Sequence, residues 1–268
     1  MRGVAAIAAV VLMAGVVGAV DLPHDLNTLT ELTDAQAEAL AKHKGGLYLG
    51  GLTTITDAQA KLLSQHDYGC YGLHLNGLTS LTDAQVDVLA KHKGPLQLNG
   101  VTSLTDAQVD VLAKHKGDLR LNGLTSLTDV QVEALAKRDL EGLSLDGVKS
   151  LTDTQVESLA RVSRLSLNGL TALTDAQTDA LAKKAGFLCL DGLTSLTDAQ
   201  VKVLSQFDGV LLSLNGLTSL TDTQVQALVN RKGHRLHLLG LATLTNSQVN
   251  ALRADPFISL PQRFRSGH

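Results

Sequence analysis

Leu73-His74-Leu75-Asn76-Gly77-Leu78-Thr79-Ser80-Leu81-Thr82-Asp83-Ala84-Gln85-Val86-Asp87-Val88-Leu89-Ala90 opens as a strand and closes as a helix. Leu73-His74-Leu75 alternates apolar and polar, so both Leu side chains lie on one side of a short strand. Asn76-Gly77 turns the chain. Asn-Gly is ordinarily a hairpin signal, but no second alternating segment follows. Leu78 and Leu81 instead lead the chain across the edge of a core. Thr82-x-x-Gln85 ahead of an apolar run is a capping box: the Thr hydroxyl accepts a new helix amide, and the Gln reaches back to the Thr amide. Asp83 falls in the first turn, where the helix dipole favours negative charge. Val86, Leu89 and Ala90 form one apolar stripe. Lys91, His92 and Lys93 place cations at the helix end, and Gly94 predicts a left-handed exit.

The pattern recurs along the whole chain. The Thr/Gln pairs are Thr33/Gln36, Thr56/Gln59, Thr82/Gln85, Thr105/Gln108, Thr128/Gln131, Thr152/Gln155, Thr174/Gln177, Thr197/Gln200, Thr221/Gln224 and Thr245/Gln248. Strand Leu pairs precede them at Leu47/Leu49, Leu73/Leu75, Leu96/Leu98, Leu119/Leu121, Leu143/Leu145, Leu165/Leu167, Leu188/Leu190, Leu212/Leu214 and Leu236/Leu238. Helix starts about 23 residues apart define a solenoid, in which each unit buries its apolar side against its neighbours. The first unit, about 24–46, keeps little of its strand. Pro256 ends the tenth unit, Ile258-Ser259-Leu260 supplies a last strand, and Pro261 blocks further pairing. Both ends, the second at about 255–268, read as caps.

Strand, turn, inward apolar residue and L-T-D-x-x-V-x-x-L-A together resemble bacterial extracellular leucine-rich repeat proteins with helices on the convex side. The resemblance covers residues 24–260. It implies an α/β fold: a curved, right-handed leucine-rich-repeat-like solenoid, with a parallel sheet of short strands on the concave face and short helices on the convex face. It also implies that the concave face binds a protein or another ligand. This chain departs from the family pattern in placing Asn or Asp immediately after L-x-L. The curvature has a physical basis as well, since helices need about 10 Å of lateral room and strands about 4.8 Å.

Residues 1–19 differ in kind. Arg2 precedes an almost wholly apolar run from Val4 to Val17, and Val17-Gly18-Ala19 offers small residues for cleavage. This reads as a secretory signal peptide ahead of a single repeat solenoid, 20–268. An uncleaved anchor is the rival, and the short apolar run favours cleavage. The expected location is therefore secreted, periplasmic or in the cell envelope, with no transmembrane span after cleavage. The net charge of −3, without a basic stripe, argues against nucleic acid. Aromatics make up 3% and Trp is absent, so the core must be thin layers of Leu, Val and Ala. Cys70 and Cys189 lie five units apart, more than ~20 Å at one strand spacing per unit, which opposes a disulfide between them.

One side chain per unit points out between the strand Leu residues: Tyr48, His74, Gln97, Arg120, Ser144, Ser166, Cys189, Ser213 and His237. The first four are large and hydrogen-bonding, and the next four are small and read as bare surface. Solenoids bind through such faces. The unit beginning at Leu47 is the longest, at 26 residues, and its loop holds Tyr68 and Tyr71. Insertions often map to a binding face. Tyr48, His74, Gln97, Arg120, Tyr68 and Tyr71 are thus the candidate ligand-binding residues.

Other columns read more simply. His43, His66, His92 and His115 share a helix-end position with Arg138, Val162, Lys184, Phe207 and Arg231, so they read as cations at helix C-termini. Flanking Lys42, Lys44, Lys91 and Lys93 oppose a metal there. The Asp after each capping Thr serves a helix N-terminus and lacks the spacing of a calcium loop. The Asn/Asp column from Asn76 to Asn215 reads as a ladder satisfying turn amides. No catalytic motif occurs, and no cofactor or metal is implied. The expectation is an exported, non-enzymatic binding or scaffold protein for a protein, peptide or glycan. The alternatives are a structural envelope protein and, more remotely, a polysaccharide-active enzyme.

Overall fold

The computed structural model describes residues 20–66, 72–138, 142–233 and 235–265. The proposed signal peptide and the Tyr68/Tyr71 loop lie outside these residues. Ten short strands alternate with ten short helices among the described residues. The strands are β1 (Leu47–Tyr48), β2 (Leu73–His74), β3 (Leu96–Gln97), β4 (Leu119–Arg120), β5 (Gly142–Ser144), β6 (Arg164–Ser166), β7 (Phe187–Cys189), β8 (Leu211–Ser213), β9 (Arg235–His237) and β10 (Ile258–Ser259). The helices are α1 (Asp34–Ala41), α2 (Asp57–Ser64), α3 (Asp83–Leu89), α4 (Asp106–Leu112), α5 (Asp129–Ala136), α6 (Asp153–Leu159), α7 (Asp175–Ala182), α8 (Asp198–Leu204), α9 (Asp222–Val229) and α10 (Asn246–Arg253). All strands join one parallel sheet in chain order. The register stacks like on like: Leu47 faces Leu73, which faces Leu96 and then Leu119. This is an α/β solenoid, as the repeat predicts.

The core is a continuous file of aliphatic side chains. Both Leu residues of each strand are buried, as are the inward residue after the turn and the helical stripe (in one unit Leu73, Leu75, Leu78, Val86 and Leu89). Helices this short would be marginal alone, so their persistence rests on packing between units. A 3₁₀ turn, Leu26–Thr28, replaces the strand of the first unit. At the other end Pro261 leads into a 3₁₀ turn, Gln262–Phe264, and Arg263 donates to the Leu241 carbonyl of the preceding unit.

All ten helices start with a complete capping box. Each box also ties its unit to the one before. While Gln131 Oε1 accepts from the Thr128 amide at 3.1 Å, its Nε2 donates to the Leu104 carbonyl of the preceding unit at 2.9 Å. The same bridge runs from Gln59, Gln85, Gln108, Gln155, Gln177, Gln200, Gln224 and Gln248. The helix-start Asp joins in. Asp34, Asp83, Asp129, Asp175 and Asp222 accept from the next unit's Gln. Asp57, Asp106, Asp153 and Asp198 accept from the next unit's Thr. The two modes alternate strictly along the chain. These carboxylates are structural, and among the described residues no group of side chains is arranged to hold a metal ion.

The Asn-Gly turns find their reason in stacking rather than in a hairpin. Asn99 accepts from the Asn122 amide, Asn122 from Asp146 and Asp146 from Asn168, and the ladder continues to Leu239. Gly follows because a Cβ at Gly100 would lie 2.2 Å from the Asn76 carbonyl oxygen. The expectation for Gly94 fails: its φ is not positive, and the helix ends at Ala90 with an ordinary right-handed cap. Gly94 is instead buried in the stack, where a Cβ on Gly117 would meet its carbonyl oxygen at 2.3 Å.

Candidate binding face

The parallel register brings Tyr48, His74, Gln97 and Arg120 side by side on adjacent strands. Tyr48 is 47% exposed, and its ring meets the His74 ring with centroids 4.4 Å apart, tilted by 54°. A Cβ on Gly46 would lie 2.8 Å from the Tyr48 ring, so the glycine there lets the ring lie back over the backbone. His74 Nε2 is 3.4 Å from Gln97 Nε2, while Gln97 Oε1 accepts from Asn76 at 3.5 Å. Burial, and after it the charge of Arg120, holds the His74 pKa below the usual imidazole value. Arg120 is exposed and forms no ion pair among the described residues. The strip thus offers a tilted aromatic pair, a positioned amide and an open guanidinium, with no carboxylate of its own. Tyr68 and Tyr71 lie outside the described residues.

The small residues beyond Arg120 are not bare surface as expected. Ser144 Oγ donates to Asn122 and Asp146, Ser166 Oγ to Asp146, and Ser213 Oγ to Asp191. Ser213 is buried. These hydroxyls serve the Asn/Asp ladder, so the middle of this row is an internally satisfied carpet. Cys189 lies within it, and burial, followed by Asp191 and Asp146, raises its thiol pKa to about 11. It is a free thiol, protonated at neutral pH and hence a poor nucleophile.

The helix-end column also differs in part from its reading as cations at helix C-termini. His43 is exposed, but His66, His92 and His115 are buried and stacked, with ring centroids 6.1 and 6.5 Å apart. His115 Nδ1 lies 3.2 Å from the Ala90 carbonyl oxygen. Burial dominates its titration and lowers its pKa to about 4, against the opposing effect of that hydrogen bond. It is therefore neutral, not a cation, at physiological pH. The expectation holds for Arg138 and Lys184. Arg138 donates to the Leu112, Ala113, His115 and Gly117 carbonyls at the end of the preceding unit. Lys184 donates to Val162, Ser163 and Ala185. These cations satisfy orphan carbonyls at helix C-termini, while Val162 and Phe207 fill the same column with apolar bulk.

Together these features define a leucine-rich-repeat-type α/β solenoid with an open strand face. No protein-family model matches the chain, and no curated protein matches it. Solved structures similar to it include internalin C2 from Listeria monocytogenes, at 19% identity over 80% of this chain and 84% of that chain, with a TM-score of 0.42. Internalin InlF from the same species is similar at 15% identity over 86% and 83%, with a TM-score of 0.39. The functional domain of its InlJ is similar at 19% identity over 91% of this chain and 56% of that one, with a TM-score of 0.32. Among the described residues no helix is long and apolar enough to cross a membrane.

Proposed function

We propose that this protein is an exported, non-enzymatic binding protein that holds a protein, peptide or glycan on the N-terminal half of its strand face. The observation that carries the reading is the contiguous row Tyr48–His74–Gln97–Arg120. Its side chains span about 15 Å at one strand spacing per step, enough for a short peptide or a few sugar rings. Tyr offers contact area at low entropy cost. Arg120, with no ion pair among the described residues, favours a carboxylate-bearing group through its planar fork. The remainder of the row argues in the same direction, since its hydroxyls are already engaged by the ladder.

The test is binding to defined acidic and neutral peptides and glycans, with wild-type protein and a Tyr48→Ser/Arg120→Ser variant compared by titration. Binding should weaken about tenfold or more in the variant, as anchors of these types often show. Equal binding by the variant, or loss on Ser144→Ala and Ser166→Ala instead, would place the site elsewhere. Turnover of a bound polymer would overturn the non-enzymatic reading.

A further inference from the structure

Each strand has a second outward position, immediately before its first buried Leu. Through the first half of the solenoid this earlier row is small or short: Gly46, Gly72, Pro95, Asp118 and Gly142. From the sixth strand it turns large: Arg164, Phe187, Leu211, Arg235 and Phe257. The later row does the reverse, passing from Tyr48, His74, Gln97 and Arg120 to Ser144, Ser166, Cys189 and Ser213 before His237. Bulk therefore changes rows near the middle of the sheet, and the C-terminal half carries a different surface chemistry from the N-terminal half.

That surface sets exposed apolar side chains beside arginines. Phe187 is 39% exposed, Val210 53% and Phe257 52%. Register pairs Phe187 with Leu211 and Leu211 with Arg235. Val210, Arg235 and Phe257 border a cleft of about 370 Å³ with Phe207 in its lining. Gly209 packs tightly at the floor of this cleft, where a Cβ would lie 2.3 Å from the buried Phe207 ring and 2.5 Å from the Gly186 carbonyl oxygen. The charges are unequal. Arg164 pairs with Asp118 at 2.6 Å, and Lys232 with Asp208 at 3.3 Å. Arg235 is exposed and forms no ion pair among the described residues.

We propose that this cleft is a second recognition site, one that takes an apolar side chain with an adjoining carboxylate from a peptide segment of a partner protein. The apolar side chain packs on Val210 and Phe257, and the carboxylate meets the Arg235 guanidinium. A glycan is the poorer fit. Val210 and Phe257 carry no polar tips, and the Asp208 and Lys232 that also line the cleft are paired with each other at 3.3 Å, so ring hydroxyls pressed against this surface would lose water and gain few partners.

Methyl NMR on the full chain tests the assignment. N-acetyl-Phe-Glu-amide is titrated while the Val210 and Leu211 methyl signals are followed. A saturable shift is expected, weakened about tenfold by Arg235→Gln, an exposed substitution that should leave the fold intact. N-acetyl-Phe-Gln-amide should bind wild type more weakly than the Glu peptide, and the two peptides should become equivalent on the Arg235→Gln variant. Arg120→Ser should leave the titration unchanged, which separates this site from the N-terminal strip. No saturable shift, equal binding of both peptides to wild type, or a shift only with an acidic oligosaccharide would each overturn the proposal.

Discussion

Replacing Gln131 by Ala should cost the protein more than removing the helix cap beside it. Gln131 is buried and makes two hydrogen bonds, accepting from the Thr128 amide at 3.1 Å and donating to the Leu104 carbonyl of the preceding unit at 2.9 Å. The first bond shapes the α5 N-terminus, and the second joins α5 to the unit of α4. A fully buried polar group left without its partner costs about 1–3 kcal/mol; the Thr128 amide and the Leu104 carbonyl are part-buried, so the loss should be about 2–4 kcal/mol. Thr128→Ala removes the cap to the Gln131 amide and an exposed bond to Asp106, for a cost of about 1 kcal/mol. Gln131→Glu should cost at least as much as Gln131→Ala, because a carboxylate oxygen would face the Leu104 carbonyl oxygen where Nε2 now donates. Urea unfolding followed by circular dichroism gives the three values. Amide exchange then locates them: Gln131→Ala should lower protection in both α4 and α5, and Thr128→Ala chiefly in α5. A Gln131→Ala cost no larger than that of Thr128→Ala would refute the inter-unit role.

Burial of His115 makes this protein's stability sensitive to acid. With its pKa lowered from 6.5 to about 4, His115 contributes stability that is present above pH 6.5 and lost as pH falls from 6.5 to about 4. The loss is on the order of 3 kcal/mol from this group, and His115→Leu should flatten that part of the pH–stability profile; an unchanged slope would reject the assignment. Asn122→Ala leaves the Asp146 amide and the Ser144 hydroxyl without a shared acceptor, so melting should fall by a few degrees, consistent with about 1–2 kcal/mol. N-terminal sequencing of exported protein should find a start near Val20, whereas Met1 retained in a membrane pellet would indicate an anchor.

The ten helix starts could be read directly because a capping box is a local signal contained in four residues. What escaped was the other half of each Gln. The box accounts for Oε1 and is silent about Nε2, and a full count of donors on a residue this buried would have asked where that group goes. Local reading failed at Gly94, and at the Asn-Gly turns it found the ladder without the reason for the glycine. Glycine there answers to the carbonyls of the neighbouring unit, which no single repeat contains. The His column misled because its flanking lysines are exposed, whereas the rings themselves are covered by the stack. At the candidate site, the contiguity of Tyr48, His74, Gln97 and Arg120 follows from the repeat period alone. The engagement of Ser144, Ser166 and Ser213 needed the ladder's side-chain geometry, and the bulky earlier row from Arg164 to Phe257 lies just ahead of each L-x-L pair, where the repeat pattern leaves no mark.

The alternation of Asp partners gives the array a longer period than its sequence repeat. Asp34 accepts from Gln59, Asp57 from Thr82 and Asp83 from Gln108, so the bonding pattern repeats only every second unit. A lineage that lengthens or shortens such a protein by duplication meets this constraint at each crossover. Gaining or losing two neighbouring units restores the alternation at the junction, while a change of one unit sets two like rungs side by side. Even-numbered steps in length are the smoother evolutionary path for this solenoid.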